Sequence, residues 1–264
     1  MELVGFVSAI IMGLSLGLIG GGGSILTVPI LVYLFGIDPV TSTAYSLFVV
    51  GLTSLVGSFS HLKNGNVHLK TALIFGAPSI VTVYTVRKFI VPIIPDTLFS
   101  VGNFTFTKPL FVMVLFALLM LLASVSMIRD RKKPENDESQ IKYNYPLIFL
   151  EGILVGGVTG LVGAGGGFLI IPALVLLAGL PMKQAVGTSL LIIAMKSLIG
   201  FTGDLGSELH IDYQFMMIFS AFAIVGILGG AYLSKFISGK KLKPAFGWFV
   251  LVMGLLILGK ELLA

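Results

Sequence analysis

Cysteine is absent from the 264 residues, which excludes disulfides, haem attached through cysteine and zinc–thiolate sites. Histidine is nearly as scarce: His61, His68 and His210 are the only three, scattered and without the HxxxH-type spacing of a metal site. No metal and no cofactor is therefore expected. Charged residues make up only 11% of the chain, far below the share that solvates an ordinary globular domain. The motifs GxxxxGK[ST] and HExxH are missing, and although Gly13–Gly17 reads GLSLG, no histidine is placed to serve a nucleophile deep in the membrane, so nothing points to nucleotide hydrolysis or to an intramembrane hydrolase.

What the chain has instead is apolar length. It is 56% hydrophobic with a mean hydropathy of +1.05, and apolar runs lie at 39–60, 69–92, 107–128, 182–203, 211–236 and 243–260. Each is near the ~20 residues a membrane helix needs, without the alternation of a barrel strand. The first stretch carries Glu2 in place of a basic n-region and lacks a cleavage signature, so it reads as part of the mature protein rather than a secretory signal. The net charge of +5 comes from residues gathered in loops between apolar spans, which argues for membrane topology and against a nucleic-acid partner. Membrane lipid is the expected surrounding.

One stretch is written twice. Residues 17–31, GLIGGGGSILTVPIL, recur 143 positions later as GLVGAGGGFLIIPAL at 160–174. The same offset carries on to Leu62, pairing Ser46 with Ser189, Thr53 with Lys196, Ser54 with Ser197 and Gly57 with Gly200. The chain is thus a duplicated unit: a first transmembrane repeat over 1–128, a linker over 129–145 and a second transmembrane repeat over 146–264. The linker, RDRKKPENDESQIKYNY, holds five basic residues and is expected to face the cytoplasm.

Equivalent loops of the two repeats carry opposite charge bias. Loop 61–70 has Lys63 and Lys70 and no acid, whereas 203–212 has Asp204, Glu208 and Asp212 and no Lys or Arg. Loop 91–107 is free of Lys and Arg, yet 235–244 carries Lys235, Lys240, Lys241 and Lys243. By the positive-inside bias the halves are inserted upside down relative to each other, the inverted-repeat plan of many secondary transporters. The expected fold is all-α and integral to the membrane, with two inverted repeats, each a glycine-broken helical hairpin plus three transmembrane helices.

Inversion requires an odd number of crossings per half, so the glycine motif must return to its starting side or add two crossings. Its arms are short, about 17 residues over Leu3–Ile19 and about 13 over Ser24–Gly36, against the ~20 of a span. Residues 3–36 and 147–179 are therefore read as hairpins with buried glycine tips, while two full crossings per motif, ten spans in all, fit the charges equally well. Gly5, Ala9, Gly13 and Gly17, and again Gly152, Gly156 and Gly160, recur every fourth residue, a stripe that lets helix backbones approach closely in lipid.

A glycine run leading into a helix presents N–H groups and the positive end of the helix dipole, which suits anions. The candidate binding groups are the backbone of Gly20, Gly21, Gly22, Gly23 and Ser24 and of Gly163, Gly165, Gly166 and Gly167, with hydroxyls of Ser46, Thr53, Ser54, Ser189 and Ser197. Lys196 is the sharpest single residue, a cation inside a span with no carboxylate at helical spacing. Asp204, eight positions on and placed at the interface, makes only a weak pair. Either Lys196 snorkels to the outer interface or an anionic substrate supplies its missing charge. Arg87 and Lys88 end their span at the outer mouth, where they serve as an ordinary interfacial pair or attract and release anions. Glu151 either sits at the interface or carries a proton. Arg87 and Glu151 are the candidates for gating or coupling.

The duplicated GxxGxGGG followed by an apolar pair and proline, in a chain of this length with two four-element halves, resembles the TauE/SafE sulfite exporter family over nearly the whole chain. The resemblance implies export across a bacterial inner membrane of a small sulfur oxyanion or organosulfonate, such as sulfite or sulfoacetate, by alternating access. An anion channel, or a transporter of another small organic anion, is the alternative. The small anion is the expected partner, and a homodimer is left open. Gly21 against Ala164 and Ser24 against Gly167 are the positions where the two motif copies differ, so the tips need not bind equally.

Overall fold

In a computed structural model, residues 2–101, 104–128, 145–207, 209, 211–234 and 239–263 are described. Nearly all of the linker 129–145, together with Glu208, His210 and Lys235, lies outside the described residues. The first half runs α1 (Glu2–Ile19), a 3-10 turn (Gly22–Leu26), α2 (Thr27–Phe35), α3 (Pro39–Lys63) and α4 (Leu69–Thr85). A π-turn (Val86–Ile90) and a short α5 (Val91–Ile93) extend α4, and α6 (Lys108–Ile128) closes the half. The second half repeats the order with α7 (Tyr145–Val162), α8 (Gly167–Leu176), α9 (Met182–Thr202), α10 (Tyr213–Leu233) and α11 (Gly239–Leu263). Among the described residues six helices are long and apolar enough to cross a membrane: α3, α4 with its extension, α6, α7, α9 and α10; α7, expected as a hairpin arm, is one of them, and α11, which holds the apolar run 243–260, is not. The protein is a helical membrane protein.

Local chemistry sets the helix ends. Asp38 caps α3 by accepting hydrogen bonds from the amides of Val40 and Thr41, with Pro39 in the first turn. Asp212 caps α10 through the amide of Phe215. The loop 91–107 is not purely irregular. Thr97–Val101 (β1) pairs antiparallel with Phe104–Thr107 (β2), and the Phe99 and Phe106 rings stack at 4.9 Å. The alternation Phe-Thr-Phe-Thr supplies the two-residue period that a ribbon needs.

The halves interlock by exchanging partners. α1 packs on α10 and α7 on α4, α3 on α10 and α9 on α4, while α3 meets α9 and α6 meets α11. Swapping each helix for its repeat counterpart reproduces this set. α3 and α9, the central pair, run antiparallel: Gly187 near the start of α9 packs on His61 and Asn66 at the end of α3, and Gly51 packs on Leu198. α1 runs parallel to α10, since Gly13 meets Ala223 and Ile227 where Gly17 meets Gly230 and Ala231. α7 likewise runs parallel to α4, with Gly152, Gly156 and Gly160 against Phe75, Ser79 and Val83 in turn. The small-residue stripes are thus the seams between the halves.

These directions fix where each hairpin returns. α7 starts at the end of the bundle where α4 starts, and α9 starts at that same end; α1 and α3 share the opposite end. The returning arms α2 and α8 have nine and ten residues, roughly 14 and 15 Å at about 1.5 Å per residue. That is about half a hydrocarbon core, whereas the arm α7 is itself among the helices long enough to cross.

The seams make a matched prediction on one helix. A Cβ at Gly226 would overlap the carbonyl of Ile10, whereas at Gly229 it meets nothing within 4 Å. Gly226→Ala is expected to destabilise by about 1–3 kcal/mol through overpacking, lowering the thermal unfolding midpoint in detergent. Gly229→Ala should leave it unchanged or raise it.

Candidate functional site

α1 and α7 stop at paired positions. Gly20 and Gly163 adopt φ of +77° and +69°, a left-handed conformation that glycine takes without strain. Gly20 then packs on Val186 and Gly163 on Thr43, again equivalent residues of the two repeats. The chains pass each other in the middle of the bundle, where the backbone of Gly21 lies directly against that of Gly167. No side chain fits between them. The two tips meet, but the space directly between Gly21 and Gly167 is filled by backbone and not by the cavity the sequence led us to expect there.

The predicted hydroxyls fall into two groups. Ser24 donates to the carbonyl of Gly21 at 2.8 Å, and Ser189 donates to the carbonyl of Gly20 at 2.7 Å. Both hold the first tip in shape, and their donors are committed. Ser46, Thr53, Ser54 and Ser197 are fully buried, and their hydroxyls have no hydrogen-bond partner among the described residues. In helices such hydroxyls ordinarily bond a carbonyl one turn back, as Thr43 and Thr159 do here. Leaving a buried hydroxyl unpaired costs about 1–3 kcal/mol, so these four are available to something that enters. Gly22 opens the 3-10 turn, and Gly23 packs against its own arm at Met12 and Leu16.

Lys196 does not snorkel. It is 1% exposed, and its ammonium donates to the hydroxyl of Thr159 at 2.7 Å. Its Nζ lies beside Gly166, the residue capping the start of α8. Gly165 packs on Val50, Ser24 and Ile193 immediately behind. The first amides of α8 precede any intrahelical partner, so the cation and the positive end of a helix share one place. Among the described residues no carboxylate makes an ion pair with Lys196. Thr159 escaped the sequence reading because it lies on the arm before the glycines, with only its position four residues ahead of Gly163 as a clue.

The reading of Asp204 and Arg87 needs correction. Arg87 is no interfacial group: it is 1% exposed, carried inward by the π-turn, with Nε and Nη2 on Oδ2 of Asp204 at 2.8 and 2.6 Å. Asp204 belongs to this buried pair and not to Lys196. Gly203 explains why the sequence misled, because its missing side chain lets the segment after α9 fold down onto Arg87. Burial raises the pKa of the Asp204 carboxyl, and the Arg87 charge and hydrogen bond oppose it in part. Nη1 of Arg87 also donates to Thr43 at 2.9 Å and to the carbonyl of Gly160 at 3.4 Å. Lys88 is exposed and lines, with Arg87 and Asp204, a recess of about 690 Å³. Glu151 is half-buried against an apolar recess of about 260 Å³ near Phe168 and Pro172.

The comparisons with known proteins bear on this arrangement. The model of the sulfite exporter TauE/SafE family matches residues 5–257. The chain is 32% identical over 269 residues to the probable membrane transporter protein MJ0441 of Methanocaldococcus jannaschii, covering 97% of this chain and 93% of that one. It is 30% identical over 256 residues to a probable membrane transporter protein of Xylella fastidiosa, with 95% and 92% coverage. A third relative, the probable membrane transporter protein YunE of Bacillus subtilis, is 30% identical over 243 residues, with 80% and 82% coverage. No solved structure matches. With similarity running almost end to end, the chain belongs to the TauE/SafE sulfite exporter family and is a multi-pass membrane transporter.

Proposed function

We propose that the protein is a secondary carrier in the inner membrane that exports a small sulfur oxyanion or organosulfonate, with sulfite as the simplest case, by alternating access. The observation that carries this reading is Lys196: a fully buried cation at the start of α8 with a hydroxyl and, among the described residues, no carboxylate for company. A buried charge without a counter-charge is strongly unfavourable, and an anionic substrate supplies what is missing. The anion sits beside the Gly21–Gly167 contact, with its oxygens toward Lys196, Thr159 and the first amides of α8. The unpartnered hydroxyls of Ser46, Thr53, Ser54 and Ser197 receive it as the tips move. The packed tips favour a carrier over an open channel, because anions pass only when the halves shift.

Alternating access rests on the two halves being inverted repeats. The exchanged helix pairings and the antiparallel α3 and α9 support that arrangement. An outward-moving anion in a cell negative inside gains about 2.3 kcal/mol per charge per 100 mV, so export proceeds without nucleotide hydrolysis.

Two experiments test the reading. Lys196→Met in the purified protein is expected to weaken sulfite binding by roughly 30-fold or more, the equivalent of about 2 kcal/mol for a buried charge contact, at an unchanged unfolding midpoint. Equal binding by this variant removes Lys196 from the site. Topology is checked by single cysteines, which the cysteine-free chain makes clean. Cysteines at Asn64 and Lys183 should be labelled from the cytoplasm, and those at Asp96 and Leu205 from outside. Labelling of Asn64→Cys and Leu205→Cys from the same side would mean parallel repeats.

A further inference from the structure

Beyond the tips, the structure contains a second buried cation, and this one is paired. The Asp204 carboxylate, 3% exposed, lies on the guanidinium of Arg87, and among the described residues this is the buried ion pair of the protein. Arg87 has two faces. On one, Nε and Nη2 meet Asp204 at the floor of the recess of about 690 Å³, whose walls include Lys88, Lys108 and Ser207. On the other, Nη1 reaches Thr43, which touches Gly163, and the carbonyl of Gly160, both at the second glycine tip. The recess is lined by residues 91–96 and by Gly203, Asp204, Gly206, Ser207 and Leu209, which belong to the loops whose lack of basic residues sets them opposite the basic central loop. Arg87 therefore stands between the tip and the outer face.

Planar guanidinium forks bind carboxylates and tetrahedral or pyramidal oxyanions in the same two-pronged way. Asp204 is tethered to a short segment of turns that follows α9, not to a packed helix face. Arg87 rides on a π-turn, a local irregularity that can return to regular α-helix by shifting one residue and is frequent at functional sites. Both partners can thus separate without disturbing a helix seam.

We infer that Arg87 is a second, exit-side oxyanion site, and that Asp204 occupies it as a tethered stand-in for the substrate. This rests on the reading of the protein as an anion carrier. With Asp204 on Arg87 the way from the second tip to the recess is closed. An oxyanion that arrives from Lys196 takes over the guanidinium fork, Asp204 swings into the recess, and the anion leaves past Lys88 and Lys108. Return of Asp204 ejects that anion and closes the exit again, so the Arg87 guanidinium is paired at every stage.

The test is sulfite binding to the protein in lipid nanodiscs by titration calorimetry, with sulfite efflux from proteoliposomes alongside. Wild-type protein is expected to bind one equivalent, at Lys196. Asp204→Asn frees Arg87 and is expected to bind a second, which is lost again when Arg87→Gln is added. The charge-neutral pair Arg87→Gln with Asp204→Asn adds no lone buried charge that could unfold the protein, and its sulfite efflux should fall roughly tenfold or more through loss of the exit fork. A folded Asp204→Asn that binds no more sulfite than wild type overturns the inference. So does a double variant that exports at the wild-type rate, which decides the matter alone should Asp204→Asn not fold. Failure of the carrier reading is separate: there wild type binds no sulfite at Lys196, whatever the Asp204 variants do.

Discussion

Backbone that leaves regular hydrogen bonding inside a bilayer must be enclosed by protein, and the rest of this molecule answers to that requirement. Two glycine breaks interrupt helices at depth, and each is wrapped by elements of the other half. Gly20 is closed by Val186 and Ser189 of α9, Gly163 by Thr43 of α3, and the tips close each other at Gly21 and Gly167. Enclosing the breaks demands close packing, and the close packing is done by glycine: the seams between α1 and α10 and between α7 and α4 leave no room for a single added carbon at Gly13, Gly156 or Gly226. The hydrophobic clusters follow this plan, since the largest one draws buried residues from α1, α3, α6, α9, α10 and α11 alike.

Charge is distributed with the same economy. The two fully buried cations lie on either side of the second tip, Lys196 beside Gly166 and Arg87 beside Gly160 and Thr43. Among the described residues one has a carboxylate partner and the other has none. In a low-dielectric interior that asymmetry is the strongest chemical signal in the structure. The first tip has no equivalent cation, because Thr53 stands where Lys196 would be, and its hydroxyls Ser24 and Ser189 are committed to tip carbonyls. The halves are alike in path and unlike in chemistry, as the differences at Gly21 and Ala164 and at Ser24 and Gly167 suggest from the sequence.

Much of this was legible before any coordinates. Composition and helix-length apolar runs specify a membrane bundle, and the 143-residue offset identifies the duplicated break, the stripes and the equivalent hydroxyls. Periodicity along one helix also exposes Lys196 as a cation without a partner. What sequence could not supply is pairing across the repeat boundary. Arg87 and Asp204 are 117 positions apart, each at the end of a span where an exposed residue is the ordinary expectation, and only a π-turn and Gly203 bring them inside. Thr159 and Lys196 are 37 apart and meet because α7 stops where α8 begins. Whether Ser24 and Ser46 are free or committed depends likewise on packing that no local pattern encodes.

The central claim is that a small sulfur oxyanion crosses through the site beside Lys196, outward and down the electrical gradient. The most direct measurement is efflux of labelled sulfite from proteoliposomes clamped to an inside-negative potential, against matched vesicles without protein. The account predicts efflux that saturates with sulfite, speeds up as the inside becomes more negative, and is abolished by Lys196→Met. Sulfite efflux no faster than from protein-free vesicles at any potential would contradict it.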